Sequence, residues 1–240
     1  MTRRFAALAM NEAYVLHSLA WRETSLIVEV LTRHEGRLGV VARGARRPRS
    51  VLRGLLQPFQ PILVRYGTKG DLRNLLAAEW QGGMPLLCGE PLLAGFYLNE
   101  LLMRLLPRQD PHPALFDSYR FALIGLAALD RHQMALVEPI LRQFECRLLR
   151  EMGVLPTFGP QADLGPDGGL SGQTVSAALL EALADFDAPL EVFATRLADS
   201  GLAGEAKRLL RSLLRHHLGS AELMSRETIR DLHRLRESAR

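Results

Sequence analysis

The hydrophobic period of this chain changes once, at Gly82-Gly83. Before it, apolar residues alternate in short runs rich in Val and Ile, broken by Gly and Pro, which is the texture of strands and turns. After it, apolar residues recur at helical spacing over much longer stretches. In a chain of 240 residues this predicts a β domain over residues 1–80 and a helical domain over residues 81–240. Tyr14 to Leu19 reads as a first strand. Ser25 to Thr32 puts Leu26, Val28 and Val30 on one face, with Ser25 and Glu29 on the other. Arg37 to Ala42 follows the turn His34-Glu35-Gly36. Ile62 to Tyr66 starts where Pro58 and Pro61 allow, and Leu72 to Trp80 follows Gly67-Thr68-Lys69-Gly70. Five short strands in so short a stretch suit a small closed barrel.

The helical domain opens at Pro91, and Pro107 stops its first helix after Leu106. That helix is apolar enough to be buried nearly all round, so Asn99 and Glu100 inside it call for partners. Pro113 to Leu129 is a second helix. Pro139 to Met152 is a third, with Ile140, Leu141, Phe144, Leu148 and Met152 on one face and Gly153 at its end. Residues 156–173 loosen into Pro, Gly and Asp without cysteine, and helical segments are expected near 174–186, 202–218 and 225–236.

Charge divides at the same place. Residues 1–80 carry 13 Arg/Lys against 6 Asp/Glu, whereas residues 81–240 carry 17 against 20. A basic module precedes a mildly acidic one. Lys69 and Lys207 are the only lysines, so the positive charge is nearly all guanidinium, the better fork for phosphate or carboxylate. Two cysteines, Cys88 and Cys146, make neither a disulfide framework nor a four-thiolate zinc site, and they suit a reducing cytoplasm. The longest uncharged apolar stretch, Phe121 to Leu129, falls far short of the roughly 20 residues that span a bilayer, so no membrane role is expected. Met1-Thr2-Arg3-Arg4 followed by Phe5 to Met10 imitates a secretion signal. Its apolar part is short for an h-region of roughly 7–15 residues and runs into Asn11-Glu12.

Catalytic motifs are missing from the sequence. It has no phosphate-binding glycine loop and no Gly-x-Ser-x-Gly. None of the seven histidines pairs at i, i+4, and the neighbours His216 and His217 point to different faces of a helix. No cofactor and no metal site is expected, although a metal-dependent hydrolase with an unrecognised site stays open as an alternative.

The basic stretch is more informative. Arg33, Arg37, Arg43, Arg46, Arg47, Arg49 and Arg53 crowd together with Glu35 as the only acid among them. Gly44 and Pro48 put Arg46, Arg47 and Arg49 on a loop, where guanidinium groups can track a sugar–phosphate backbone. Arg65, Lys69 and Arg73 can extend the patch over neighbouring strands, against the alternative of a merely solvated arginine-rich surface. Of the aromatics Phe5, Tyr14, Trp21, Phe59, Tyr66 and Trp80, most are expected in the core. Trp21, beside Arg22 in a polar turn, is the candidate for exposure and base stacking. In the third helix, Arg142 lies beside Leu141 and across from Phe144. It either receives a partner's terminal carboxylate beside an apolar pocket or is an exposed arginine paired with Glu138 or Glu145.

These residues carry a resemblance. Val15-Leu16-His17-Ser18, Arg22-Glu23-Thr24-Ser25, Val41-Ala42-Arg43-Gly44-Ala45-Arg46, Leu56-Gln57-Pro58-Phe59, Phe96 to Leu102, Leu141-Arg142-Gln143-Phe144-Glu145 and Ser225-Arg226-Glu227 occur in an order that resembles the RecO family of DNA-repair proteins, from about Ala13 to Leu232. The resemblance implies an N-terminal five-stranded OB-fold and a C-terminal all-α domain. It also implies a non-enzymatic recombination mediator that binds single- and double-stranded DNA, anneals complementary strands, and works with RecR to place RecA on DNA coated by single-stranded-DNA-binding protein (SSB). An OB-fold module for RNA is the other alternative. Carried over residue by residue, the family's contact with the acidic C-terminal tail of SSB falls on Arg142, with Leu141 beside it. Many members hold a zinc with four cysteines after the third helix. Here Gly165 to Ser171 keeps the glycines without the cysteines, so no structural zinc is expected.

Overall fold

Alternating Val, Ile and Leu build the N-terminal strands, and turn residues space them. In a computed structural model of the chain, residues 9–156, 169–170, 173–199, 201–218, 223–225 and 228 are described. The strands are β1 (Asn11–Trp21), β2 (Ser25–Thr32), β3 (Gly36–Ala42), β4 (Pro61–Tyr66) and β5 (Leu72–Trp80). They close in the order β1-β2-β3-β5-β4, with β4 returning antiparallel to β1, which is the five-stranded barrel of an OB-fold. β1 can serve two neighbours because it is long and irregular. Asn11 to Tyr14 pair with β4, and a register shift between Val15 and His17 bends the strand as it runs along β2. Val15, Val28, Val30, Leu38, Val40, Ile62, Val64 and Tyr66 fill the barrel. Each fully buried Val, Leu or Ile contributes about 1.5–3 kcal/mol.

The chain divides into two compact units. One comprises Met1–Leu87 with Asn99–Asp117, and the other Cys88–Leu98 with Ser118–Arg240. Two details tie Asn99–Asp117 to the barrel. Asn99 donates its amide to the Leu16 carbonyl at 2.8 Å. At Gly36, φ is +69° and an added Cβ would lie 2.0 Å from the Asp110 carbonyl oxygen, so no other residue fits there. A short α1 (Leu52–Leu55) sits between β3 and β4.

The second unit is helical. Its elements are parts of α2 (Glu90–Leu105) and α3 (Pro113–Ala128), then α4 (Val137–Glu151), α5 (Ala177–Ala184), α6 (Leu190–Asp199) and α7 (Ala203–Leu218). A 3-10 turn at Met134–Leu136 leads into α4, and Pro139 is tolerated in the first turn of that helix. Ile140, Leu141, Phe144, Leu148 and Leu149 of α4 are buried, with the Tyr119 and Phe144 rings 6.2 Å apart. Ser176 caps α5 by accepting from the Leu179 amide, and it donates its own amide and hydroxyl to Glu205.

The expected helices shift by one or two residues at most ends, but two readings change. The helix expected near 174–186 starts only at Ala177, because Gln173–Thr174 pair with Gly169–Leu170 as β7 and β6. α6 was not anticipated. Its spacing of Leu190, Phe193 and Leu197 is too short a signal behind Ala188-Pro189. α2 is buried nearly all round, as expected, with Glu90, Phe96 and Arg104 exposed. The helix expected at 225–236 and most of residues 156–173 lie outside the described residues. Among the described residues, no helix is long and apolar enough to cross a membrane.

Candidate nucleic-acid interface

The loop that follows β3 is built to hold arginines outside the barrel. Gly44 turns the chain with φ +70°, and Ala45 is fully buried as an anchor. Arg46 fastens the loop to the β1–β2 turn: its amide donates to the Thr24 carbonyl at 2.9 Å. Its Nη1 reaches the carbonyls of Arg22 at 3.2 Å and Glu23 at 3.3 Å. Arg43, Arg47, Arg49 and Arg53 are exposed around this anchor.

The nine cations expected to contact DNA fall into three groups. Arg33 forms a bidentate pair with Asp117. Arg37 donates to the Leu106 carbonyl through Nε at 3.1 Å and Nη2 at 2.8 Å, and to Glu29 at 3.2 Å. Arg37 is held inside the first unit, because Glu29 is only 5 % exposed and needs Arg37 and Arg108 as counter-charges, whereas Arg33 is held by Asp117 alone among these acids. Arg46 is exposed but spends donors on backbone carbonyls. Arg43, Arg47, Arg49, Arg53, Arg65 and Lys69 make no ion pair among the described residues. Arg73 is turned inward. It meets Glu35 at 2.5 Å and lies over Tyr66, whose hydroxyl donates to the same carboxylate at 2.9 Å. Burial and that acceptor push the Tyr66 phenol well up.

Beside the loop runs an apolar row that sequence reading did not find. Leu19 pairs with Ile27 and Ile27 with Val41, so one outward apolar row crosses β1, β2 and β3 and ends at polar Asn74 on β5. Leu19 is 58 % exposed and Trp21 is 42 % exposed two residues along, with Arg22 over its ring at 5.9 Å. Trp80 and Leu76 are exposed as well. The available signal was the apolar residues on the outward parity of β1, which is legible only once the inward set is known.

In the second unit, Arg142 is buried rather than exposed. Its Nη1 lies 2.9 Å from Glu145 Oε2 and its Nη2 lies 3.5 Å from Glu138 Oε2, so it meets both of the acids considered for it. Tyr97 donates its hydroxyl to Glu145 at 2.5 Å. Leu141 is buried next to it. Cys146 is buried and Cys88 exposed, and among the described residues no cluster of His, Cys, Asp or Glu could hold a metal.

Comparison with known proteins agrees with this architecture. Residues 8–84 match the family described as Recombination protein O N terminal, and residues 89–227 match Recombination protein O C terminal. The chain is 44 % identical to the DNA repair protein RecO of Azoarcus sp. (strain BH72), over 92 % of this chain and 95 % of that protein. It is 43 % identical to the DNA repair protein RecO of Dechloromonas aromatica (strain RCB), over 93 % and 96 %. The RecO of Aromatoleum aromaticum is 41 % identical over 93 % of this chain and 95 % of its own length. With an OB-fold barrel that carries unpaired arginines, a helical unit behind it in sequence, and both halves matched, the chain belongs to the RecO family of DNA-repair recombination mediators.

Proposed function

We infer that the protein anneals complementary DNA strands and, with RecR, helps load RecA onto SSB-coated single-stranded DNA. The observation that carries this reading is the stretch from the end of β3 into α1, where Arg43, Arg47, Arg49 and Arg53 have no acidic partner among the described residues, beside exposed Trp21 and Leu19. Annealing needs no covalent chemistry, so the protein acts as a mediator and not as an enzyme. Two strands repel through their phosphates, and a surface that holds both lowers the repulsion and raises their local concentration. Base pairing then supplies the sequence specificity. The N-terminal domain, residues 1–80, takes single- and double-stranded DNA through Arg43, Arg46, Arg47, Arg49, Arg53, Arg65 and Lys69, while Arg33 and Arg37 hold the fold around them. The helical domain, residues 81–240, takes the acidic C-terminal tail of SSB through Arg142 and Leu141. The protein works in the cytoplasm, at the nucleoid.

Replacing Arg43, Arg47 and Arg49 together by Ala should weaken DNA binding and slow annealing, with little effect on the melting temperature because all three are exposed. If about five phosphates are contacted, the wild-type protein should show a salt slope for single strands of about −3.5 and lose roughly 100-fold in affinity between 50 and 200 mM salt. The triple variant should flatten that slope by about 2. Binding that ignores salt would sink the assignment, as would a triple variant that anneals normally.

A further inference from the structure

Helices α4 and α7 hold one surface carboxylate between cations of both. Glu138 Oε2 lies 3.5 Å from Arg142 Nη2, and Glu138 Oε1 lies 2.5 Å from Lys207 Nζ. The side chains of Glu138 and Lys207 are 42 % and 49 % exposed, whereas that of Arg142 beneath them is 5 % exposed. The inner side of the Arg142 guanidinium is held by Glu145 at 2.9 Å. Its Nε is buried without a hydrogen-bond partner.

The seat that Glu138 occupies is suited to a carboxylate. Burial pushes the Glu138 carboxyl up, but the charges of Arg142, Lys207 and Arg211 outweigh it and hold the group below its ordinary value. Glu138 also sits in the first turn of α4, where the positive end of the helix dipole favours an anion. Another carboxylate cannot reach Arg142 Nη2 while Glu138 covers it. Glu138 can leave at low cost, since a half-exposed pair holds a long side chain only weakly.

We propose that Glu138 is a built-in competitor, occupying a carboxylate seat formed by Arg142 and Lys207 that an acidic peptide with a free C-terminal carboxylate must take over, with Lys207 as its second cation. The inference rests on the reading that Arg142 receives such a tail. Occupancy by Glu138 lowers the apparent affinity by the fraction of molecules in which the seat is filled. A single small carboxylate then competes poorly, whereas a peptide with several acids displaces Glu138 and gains both cations.

The test is fluorescence anisotropy with a labelled acidic peptide ending in Phe, with either a free or an amidated terminus, against the full-length chain. Glu138→Gln should tighten binding of the free-terminus peptide by about 2- to 5-fold, the reach of a half-exposed pair. Lys207→Ala should weaken it by a similar factor, and the amidated peptide, which keeps its side-chain acids, should gain less from Glu138→Gln. Both positions are surface positions, so these variants decide the matter even if changes at buried Arg142 disturb folding. Unchanged or weaker binding by Glu138→Gln, alongside weaker binding by Arg142→Lys, would overturn the competitor and leave the tail reading standing. Unchanged binding by a folded Arg142→Lys would remove the tail reading, and the competitor with it.

Discussion

Arg142 and Glu145 are 4 % and 0 % exposed, and each is the principal counter-charge of the other. Burial alone would lower the basicity of the guanidinium, but Glu145, Tyr97 and Glu138 outweigh it and the group is held above its ordinary value. Removing one member of such a pair leaves a charge in the interior without compensation. Arg142→Ala should therefore cost about 3–5 kcal/mol of unfolding free energy. Replacing both members by apolar residues of similar volume, as in Arg142→Met with Glu145→Leu, should recover most of that loss, because neither charge is then stranded. A double-mutant cycle by urea denaturation reads the difference, and two losses that simply add would show that the pair does not act as a unit. The same burial bears on any functional use of Arg142. A loss of peptide binding by Arg142→Ala counts only beside an unfolding curve, and Arg142→Lys, which keeps the charge, is the better probe.

At the scale of elements, exposed Trp21 stands two residues along from the outward row of Leu19, Ile27 and Val41, and in the proposed reading it is the aromatic on which an unpaired base stacks. Trp21→Ala should weaken single-strand binding by about 1–3 kcal/mol. Since no phosphate contact is lost, the salt slope should stay where it was, and that separates the effect from one at the arginine loop. A Trp21→Ala protein with wild-type affinity, or with a flattened slope, would take this side chain out of the interface. The strands themselves were legible because period-two runs of Val, Ile and Leu end at Gly and Pro, and α4 was legible from its single apolar face. Their registers were not. No local signal says that Ile27 lies between Leu19 and Val41, so the row was invisible. The arginine loop stood out as a run of charge, but the sorting of its members did not. Arg33 meets Asp117 84 residues away, and Arg37 meets a carbonyl 69 residues away, contacts that exist only after folding. Asn99 shows the converse. A polar side chain in an apolar helix announced a buried partner, and the Leu16 carbonyl, 83 residues earlier, is one.

For the whole molecule, the two proposed contacts fall in different compact units and use different physics, which makes their loss separable. As proposed, DNA binding rests on many weak, salt-screened contacts and should decline in steps as arginines are removed after β3. Tail capture, as proposed, rests on one buried cation and one surface cation, so a single substitution should remove most of it. The loop variant with Arg43, Arg47 and Arg49 replaced by Ala should lose annealing on naked and SSB-coated strands alike. A folded Arg142→Lys should instead fail selectively on SSB-coated strands, because only there does the reaction depend on the tail. A charge-assisted contact of this kind is worth roughly 1.5–3 kcal/mol, so tail-peptide binding should fall by about 10- to 150-fold in a folded Arg142→Ala and by less in Arg142→Lys, which keeps the charge but loses the fork. Annealing rates measured on both substrates, with and without RecR, give the comparison. Equal losses on both substrates by Arg142→Lys would assign Arg142 to the stability of the helical unit or to DNA contact. A loop variant that fails only on coated strands would mean that the arginines of the β3–α1 loop meet SSB rather than DNA.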